Sequence, residues 1–351
     1  MHAFATDPAR VVFILVFLCI VVGGSLALYA WRESAVSTTG RFDWFSRETA
    51  LLLNNVVFLT AAVAVFVGTL YPLVVDALGF GKISVGRPYF DTMFSFIGIP
   101  LMLLLGIGPA IRRKGDQYSR IKNPMQIMLI TSRTIGITLP FVIDGVFNFM
   151  TGLGLGVALW VAMTTVYNFY SRLRQSSSMP RAYAGMLMAH LGVSVFVAGV
   201  TMTTTYGIEK DIRMEPGNTY SLSGYDFRFN GVRKIQVENY TADEGMIDVL
   251  SNGEVIGELN PQKRFYSGKS NSMTEASIDI GFMRDLYAAM GESLDDGAWS
   301  FRLYYKPMIR WIWLGCILMT LGGLLAVSDR RYRGVKVANK KSRLVTENVG
   351  A

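Results

Sequence analysis

Two cysteines, two histidines and a charged fraction of only 17% bound what this 351-residue sequence can be. Soluble domains carry about 25% charged residues, so this chain is depleted of charge. Cys19 and Cys316 lie far apart in apolar stretches and form no CxxC. That excludes a disulfide framework, a zinc knuckle and a dithiol redox motif together. Both read as small lipid- or core-facing side chains. No Walker A loop, HExxH, GxSxG or paired-carboxylate site occurs. The glycines of GLGLG at 152–156 lie inside an apolar run, without the strand–loop–helix context that cradles phosphate. Chemistry that needs imidazole must use His2 or His190, or borrow from another chain.

What the sequence has in abundance is long apolar runs. It is 51% hydrophobic with a mean hydropathy of +0.33, and a helix needs about 20 apolar residues to cross a bilayer. Seven spans are expected, at about 11–31, 50–75, 92–111, 124–143, 146–169, 185–206 and 308–328. Only Asp144 and Gly145 separate the fourth from the fifth. The run after Arg10 is too long for a signal peptide and has no small-residue cleavage site. Thr6-Asp7-Pro8 supplies an N-cap acceptor and a first-turn proline for the helix expected there.

Lys and Arg in the short loops set an expected orientation. One set of connections together with the tail carries eighteen, while the 76–91 loop and the 144–145 turn carry two. The amino terminus is therefore expected in the periplasm, or its equivalent, and the carboxy terminus in the cytoplasm. This puts 208–306 outside, with 11 basic and 16 acidic residues. The net charge of +8 thus belongs to cytoplasmic loops and says nothing for nucleic acid.

The external segment reads as β, with short alternating runs such as TYSLSGYDFRF and WSFRLYYKP. Asn230-Gly231 and Asn252-Gly253 each signal a two-residue hairpin turn. A small sandwich or partly open barrel is expected, interrupted by one helix around MRDLYAAMGESL. Tyr304, Tyr305, Trp311 and Trp313 are expected to anchor the last helix at the interface. The fold class is thus a polytopic α-helical membrane protein of about seven transmembrane helices with one periplasmic β-rich domain. Its expected parts are a six-helix membrane domain (1–207), the β-rich domain (208–306), the last helix (307–329) and a basic cytoplasmic tail (330–351).

His190 stands in MLMAHLGVS, inside the sixth span. An ionisable group in hydrocarbon is a functional hypothesis by default. Gly185, Gly192 and Gly199 recur every seven residues nearby, a stripe that lets another helix or a flat cofactor approach closely. An imidazole with a free ring nitrogen suits haem iron; the bland alternative is a hydrogen bond across helices. His2 is either a ligand just outside the first span or an incidental residue of a capping loop. Asn54 and Asn55 read as helix–helix hydrogen-bonding groups. Arg133 reads as snorkelling to headgroups, or as pairing with a cofactor carboxylate.

Several longer strings are more specific. HAFATDP, SRETALLLNN, GRPYFDTMF followed by LLLGIGP, AHLGV with IEKDIRM, SMTEASIDIGFMRDLYAAMGE and WSFRLYYKPMIRWIW occur in order. Together they resemble the CcmF family, the haem lyase subunits of cytochrome c maturation. The resemblance covers the family's carboxy-terminal portion. Its tryptophan-rich WGxWWxWDPxE-type segment is not matched, and the chain is expected to be the later part of a split protein or a fragment. The resemblance implies a bacterial inner-membrane location. It makes His190 an axial ligand of a resident transmembrane haem b and His2 an axial ligand of delivered haem, the first member of each pair lying in the amino-terminal CcmF portion. It implies haem arriving from the chaperone CcmE, a CcmH-type thiol-handling partner, apocytochrome c with its CxxCH motif, and electrons from quinol. Against it stand a haem or small-molecule transporter subunit, which calls for broken paired helices or an inverted repeat, and a non-haem structural scaffold.

Overall fold

The structure, a computed structural model, describes residues 8–36, 43–111, 118–174, 179–266 and 272–329. The expectations for His2, Thr6, Asp7 and the tail at 330–351 lie outside these residues. The helices are α1 (Pro8–Trp31), the short α2 (Glu33–Val36), α3 (Arg47–Ala77), α4 (Arg87–Ile107), α5 (Tyr118–Asp144), α6 (Phe149–Arg174), α7 (Arg181–Tyr206) and α8 (Ile309–Val327). Seven of them, all but α2, are long and apolar enough to cross a membrane, which matches the seven expected spans. The fold divides into two compact units, Met1–Leu129 and Ile130–Ala351.

Helix boundaries follow local chemistry. Ser46 caps α3, its hydroxyl accepting from Thr49 N at 3.1 Å. Pro88 occupies the first turn of α4, where its missing N–H costs nothing. The short break between α5 and α6 is real: Gly145 takes a left-handed φ of 69° after the last turn of α5, and Asn148 Oδ1 accepts from Thr151 N at the start of α6. Within the first unit, Tyr89 of α4 donates to Ala64 O of α3 at 2.9 Å. Its ring fills the notch left by Gly68.

Between α7 and α8 the chain is β. The strands are β1 (Ile208–Met214), β2 (Thr219–Leu222), β3 (Tyr225–Gln236), β4 (Tyr240–Ser251), β5 (Glu254–Leu259), β6 (Gln262–Tyr266), β7 (Met273–Glu275), β8 (Ser277–Ile280), β9 (Arg284–Ser293) and β10 (Trp299–Pro307). One sheet has the order β1-β10-β9-β8, the other β2-β3-β4-β6-β7 with β5 also on β4. All pairings are antiparallel. Alternate residues of both sheets meet in a dry core. Phe227, Phe229, Val249, Leu259, Leu286, Met290 and Leu303 have no exposed surface, and Phe229 meets Phe301 edge-on at 4.8 Å. Each such side chain contributes about 1.5–3 kcal/mol on burial.

Two expectations fail here. MRDLYAAMGESL is not helical: 284–293 form β9, which pairs with β8 and β10. Its Leu, Ala and Met favour helices, yet Leu286, Ala288 and Met290 alternate inward as a strand requires. Tertiary pairing overrides the propensity. Asn230-Gly231 is not a hairpin turn either. Gly231, at φ 128°, lies within β3, where the register against β4 shifts between Phe229 and Gly231. The pair makes a bulge. Asn252-Gly253 does turn the chain, with φ of 52° and 83° and Ser251 opposite Glu254. Ser223-Gly224 makes a comparable turn between β2 and β3, at φ 52° and 79°.

On β4, Asp248 accepts from Arg228 Nη2 at 2.6 Å. This hydrogen bond, with a second from Asn230, holds its carboxyl below the ordinary 3.8. The ionised form is favoured by folding, so the contribution is complete above about pH 4 and disappears as pH falls through the depressed value. Thermal melts of the β domain in the intact chain should therefore lose stability on acidification below about pH 4, and Asp248→Asn should flatten that limb. Identical acid limbs for both proteins would show that the pair does not matter.

Candidate functional site

Because hydrocarbon is as apolar as leucine, helices inside it associate through close packing rather than a hydrophobic drive. In the second unit that packing is made with glycine. A Cβ on Gly322 of α8 would lie 2.6 Å from Gly185 O, and one on Gly192 would lie 2.8 Å from Gly315 O. One on Gly199 would lie 2.8 Å from Ile312 N. The stripe at 185, 192 and 199 is therefore taken by α8, in antiparallel contact of backbone with backbone. Gly315 and Gly322 repeat the same seven-residue spacing on α8, a signal the sequence contained.

His190 stands on the opposite side of α7. At about 100° per residue it is turned some 140–200° from those three glycines. It shares its face with Tyr183, Ser194 and Thr201, which approach α6. Ser194 Oγ donates to Ala158 O at 2.7 Å, Tyr183 OH donates to Asn168 O at 3.4 Å, and Thr201 packs on Gly154. Between these contacts, the antiparallel course of the two helices brings His190 level with Val161–Thr165 of α6, where Val161, Thr164 and Thr165 are buried. The hydroxyls at that level are already used: Thr164 donates to Trp160 O at 2.9 Å and Thr165 to Val161 O at 2.7 Å.

The imidazole itself is partly buried and makes no hydrogen bond among the described residues. Because α7 begins at Arg181, His190 lies nine residues in, about 14 Å along an axis of about 39 Å. A histidine held across helices by a hydrogen bond is therefore not what these residues build. Unlike the threonines beside it, His190 has no hydrogen bond on either ring nitrogen among the described residues. That fits an axial ligand of haem, one partner of two. No group of three or more His, Cys, Asp or Glu side chains that could hold a metal ion occurs among the described residues. Arg133 is exposed on α5.

The β domain is mounted directly on this helix pair. Thr203 Oγ1 of α7 donates to Pro307 O at 2.7 Å, and Met308 N donates to Met283 O at 2.8 Å. Arg310 Nε of α8 donates to the fully buried Asp285 of β9 at 2.9 Å. Sequence reasoning missed this ion pair, because Asp285 sits in the stretch expected to be helical.

The family model described as CcmF C-terminal beta-sandwich matches residues 205–307. Cytochrome c-type biogenesis protein CcmF of Haemophilus influenzae is 42% identical over 340 residues, covering 95% of this chain and 52% of its own. CcmF of Pseudomonas aeruginosa is 44% identical over 346 residues, covering 97% and 52%. The chain belongs to the CcmF family. It spans about half the length of the curated relatives it matches, CycK of Rhizobium meliloti included, at 36% identity. A solved structure described as Cytochrome c Heme Lyase CcmF shares its fold, with a TM-score of 0.69 at 22% identity over 82% of this chain and 46% of that one. This CcmF-family chain is a multi-pass protein of the bacterial inner membrane.

Gly192→Leu should push α7 from α8 and cost about 1–3 kcal/mol, read as a lower melting temperature in detergent. Gly98→Leu, at a site with nothing within 4 Å, should leave it unchanged. Equal effects would argue against glycine-mediated packing.

Proposed function

We propose that this chain is the carboxy-terminal portion of a haem lyase of cytochrome c maturation, working with an amino-terminal CcmF portion. The reading is carried by one observation within its family context: an imidazole inside a membrane-spanning helix, nine residues from its start, with no partner among the described residues. His190 would hold one axial position of a transmembrane haem b, and the amino-terminal portion would supply the other. When bound, that haem supplies a one-electron path, from quinol to the iron of haem awaiting attachment. His2 would ligate the delivered haem, the substrate brought by CcmE, outside the first span.

The boundaries of function follow those of charge and hydropathy. Residues 1–207 and 307–329 form the membrane part, with its amino terminus in the periplasm and the basic tail at 330–351 in the cytoplasm. Residues 208–306 form a periplasmic domain. On that side of the membrane each of the two thiols of a CxxCH motif, kept reduced by a CcmH-type partner, would add its S–H across a vinyl C=C of the substrate haem to give a thioether. The acidic domain, net −5 across 208–306, is a docking surface for these partners. Its fixed mounting on α7 and α8 supports that role, because it keeps a docked partner at a constant distance from the helix that carries His190.

Two experiments test this reading. A pyridine haemochrome and reduced-minus-oxidised spectrum of the membrane-purified chain should show haem b when the amino-terminal portion is coexpressed, and none with His190→Ala. Haem b retained in His190→Ala, or absent under every condition, would sink the ligand assignment. Deleting 212–300 should abolish holocytochrome c formation while the haem b spectrum persists; full lyase output from the deleted protein would remove the docking role.

A further inference from the structure

The turn joining β8 to β9 carries an apolar tip that the proposed function leaves unused. Phe282 is 65% exposed, Met283 58% and Ile280 64%. Turns that face water are built from Gly, Asn, Asp, Ser and Pro, whereas this one reads Ile280-Gly281-Phe282-Met283. It is not a loop free to swing. Met283 O accepts from Met308 N at 2.8 Å, at the start of α8. The Phe282 ring packs on Trp311 with centroids 5.6 Å apart. Asp285 receives Gly281 N at 3.1 Å on one oxygen and Arg310 Nε at 2.9 Å on the other.

These contacts fix the depth of the tip at that of the first turn of α8. With 19 residues, α8 is about 28 Å long, and the hydrocarbon core is about 30 Å thick. A helix that short has no turn to spare outside the bilayer, so its first turn lies at the interface. The surroundings have the composition of that interface. Trp311 and the 67% exposed Trp313 lie within the first five residues of α8, as an aromatic belt does. Arg284 and Arg310 stand beside them, their guanidinium groups paired with Asp279 and Asp285.

We propose that the β8–β9 turn is a membrane anchor, with Phe282, Met283 and Ile280 inserted among the lipids of the leaflet that α8 enters. Lipid is favoured over a protein partner by geometry. The exposed side chains project from the convex end of a hairpin instead of lining a groove, and Trp311 packs on Phe282 at the depth where α8 begins. The anchor is a second attachment for the β domain, beside the β1 and β10 strands that continue α7 and α8. It holds the domain at one tilt to the bilayer.

The test places nitroxide labels on the full chain in phospholipid bilayers, in a Cys19→Ala, Cys316→Ala background. Labels go at Phe282→Cys and Met283→Cys, and at Val237→Cys at the opposite end of β3, where the native side chain is 43% exposed. Power-saturation EPR then compares collisions with oxygen, which concentrates in lipid, and with a nickel chelate, which stays in water. The oxygen-to-nickel ratio should be several-fold higher at 282 and 283 than at 237. Equal ratios overturn the proposal, since the turn then stands in water. Low collision rates with both reagents at 282 and 283 overturn it equally, since another protein segment then covers the tip. Either labelled position alone decides the outcome if the other variant fails to fold.

Discussion

Contact of backbone with backbone between α7 and α8 is the constraint on which the rest of the second unit depends. A single Cβ at Gly192 or Gly322 would collide with the facing helix, so the two helices have one close register and little freedom to slide. That register fixes three further things. It aims the opposite face of α7, with His190, away from α8. It brings the end of α7 beside the start of α8, so that β1 and β10 leave the membrane already adjacent and pair from Ile208 and Tyr305 onward. It also sets Arg310 where Asp285 can accept from it. Helix pair and strand pair are one antiparallel element whose hydrogen-bonding mode changes at the membrane surface.

Both ends of that element are closed by carboxylates. At the far end Asp329, just past α8, accepts from Ala182 N at 2.9 Å. It thereby caps α7, whose own N-cap residue, Pro180, offers no side-chain acceptor. A carboxylate at a helix N-terminus also meets the positive end of the helix dipole. At the near end Asp285 is buried to 1% exposure, and Arg310 with Gly281 N offsets the cost of removing it from water. Neither clasp is local in sequence: 147 residues separate Ala182 from Asp329.

This explains which features were legible in the sequence. Span number and approximate position follow from run length, which the bilayer dictates. The α5–α6 break follows from a glycine and an asparagine acting within a few residues. The Asn252-Gly253 turn is likewise local. What could not be read depends on partners. Asn230-Gly231 has the same local preference as Asn252-Gly253, but β4 pairs with the chain on both sides of it, so the extra residue becomes a bulge. The residues 284–293 have an apolar run that suits either helix or strand, and only their position between β8 and β10 decides. The glycine stripe was visible, but whether a helix or a flat cofactor lay on it was not; α8 settles that.

His190 is the remaining case, and the polar groups around it supply the argument. A hydroxyl in a membrane helix usually returns its proton to a carbonyl of its own preceding turn, as Thr164, Thr165 and Thr320 do here. Ser194 reaches across to Ala158, and Asn168 turns back to Thr164. Such groups are satisfied wherever the helix happens to pack. Imidazole is bulkier and carries both a donor and an acceptor at fixed angles, so it has no comparable retreat to its own backbone. It must be met by something at its own level. On α6 that level holds Val161 and hydroxyls already engaged, and the opposite face of α7 belongs to α8. Among the described residues the ring nitrogens of His190 are therefore left unpaired, about 14 Å into α7.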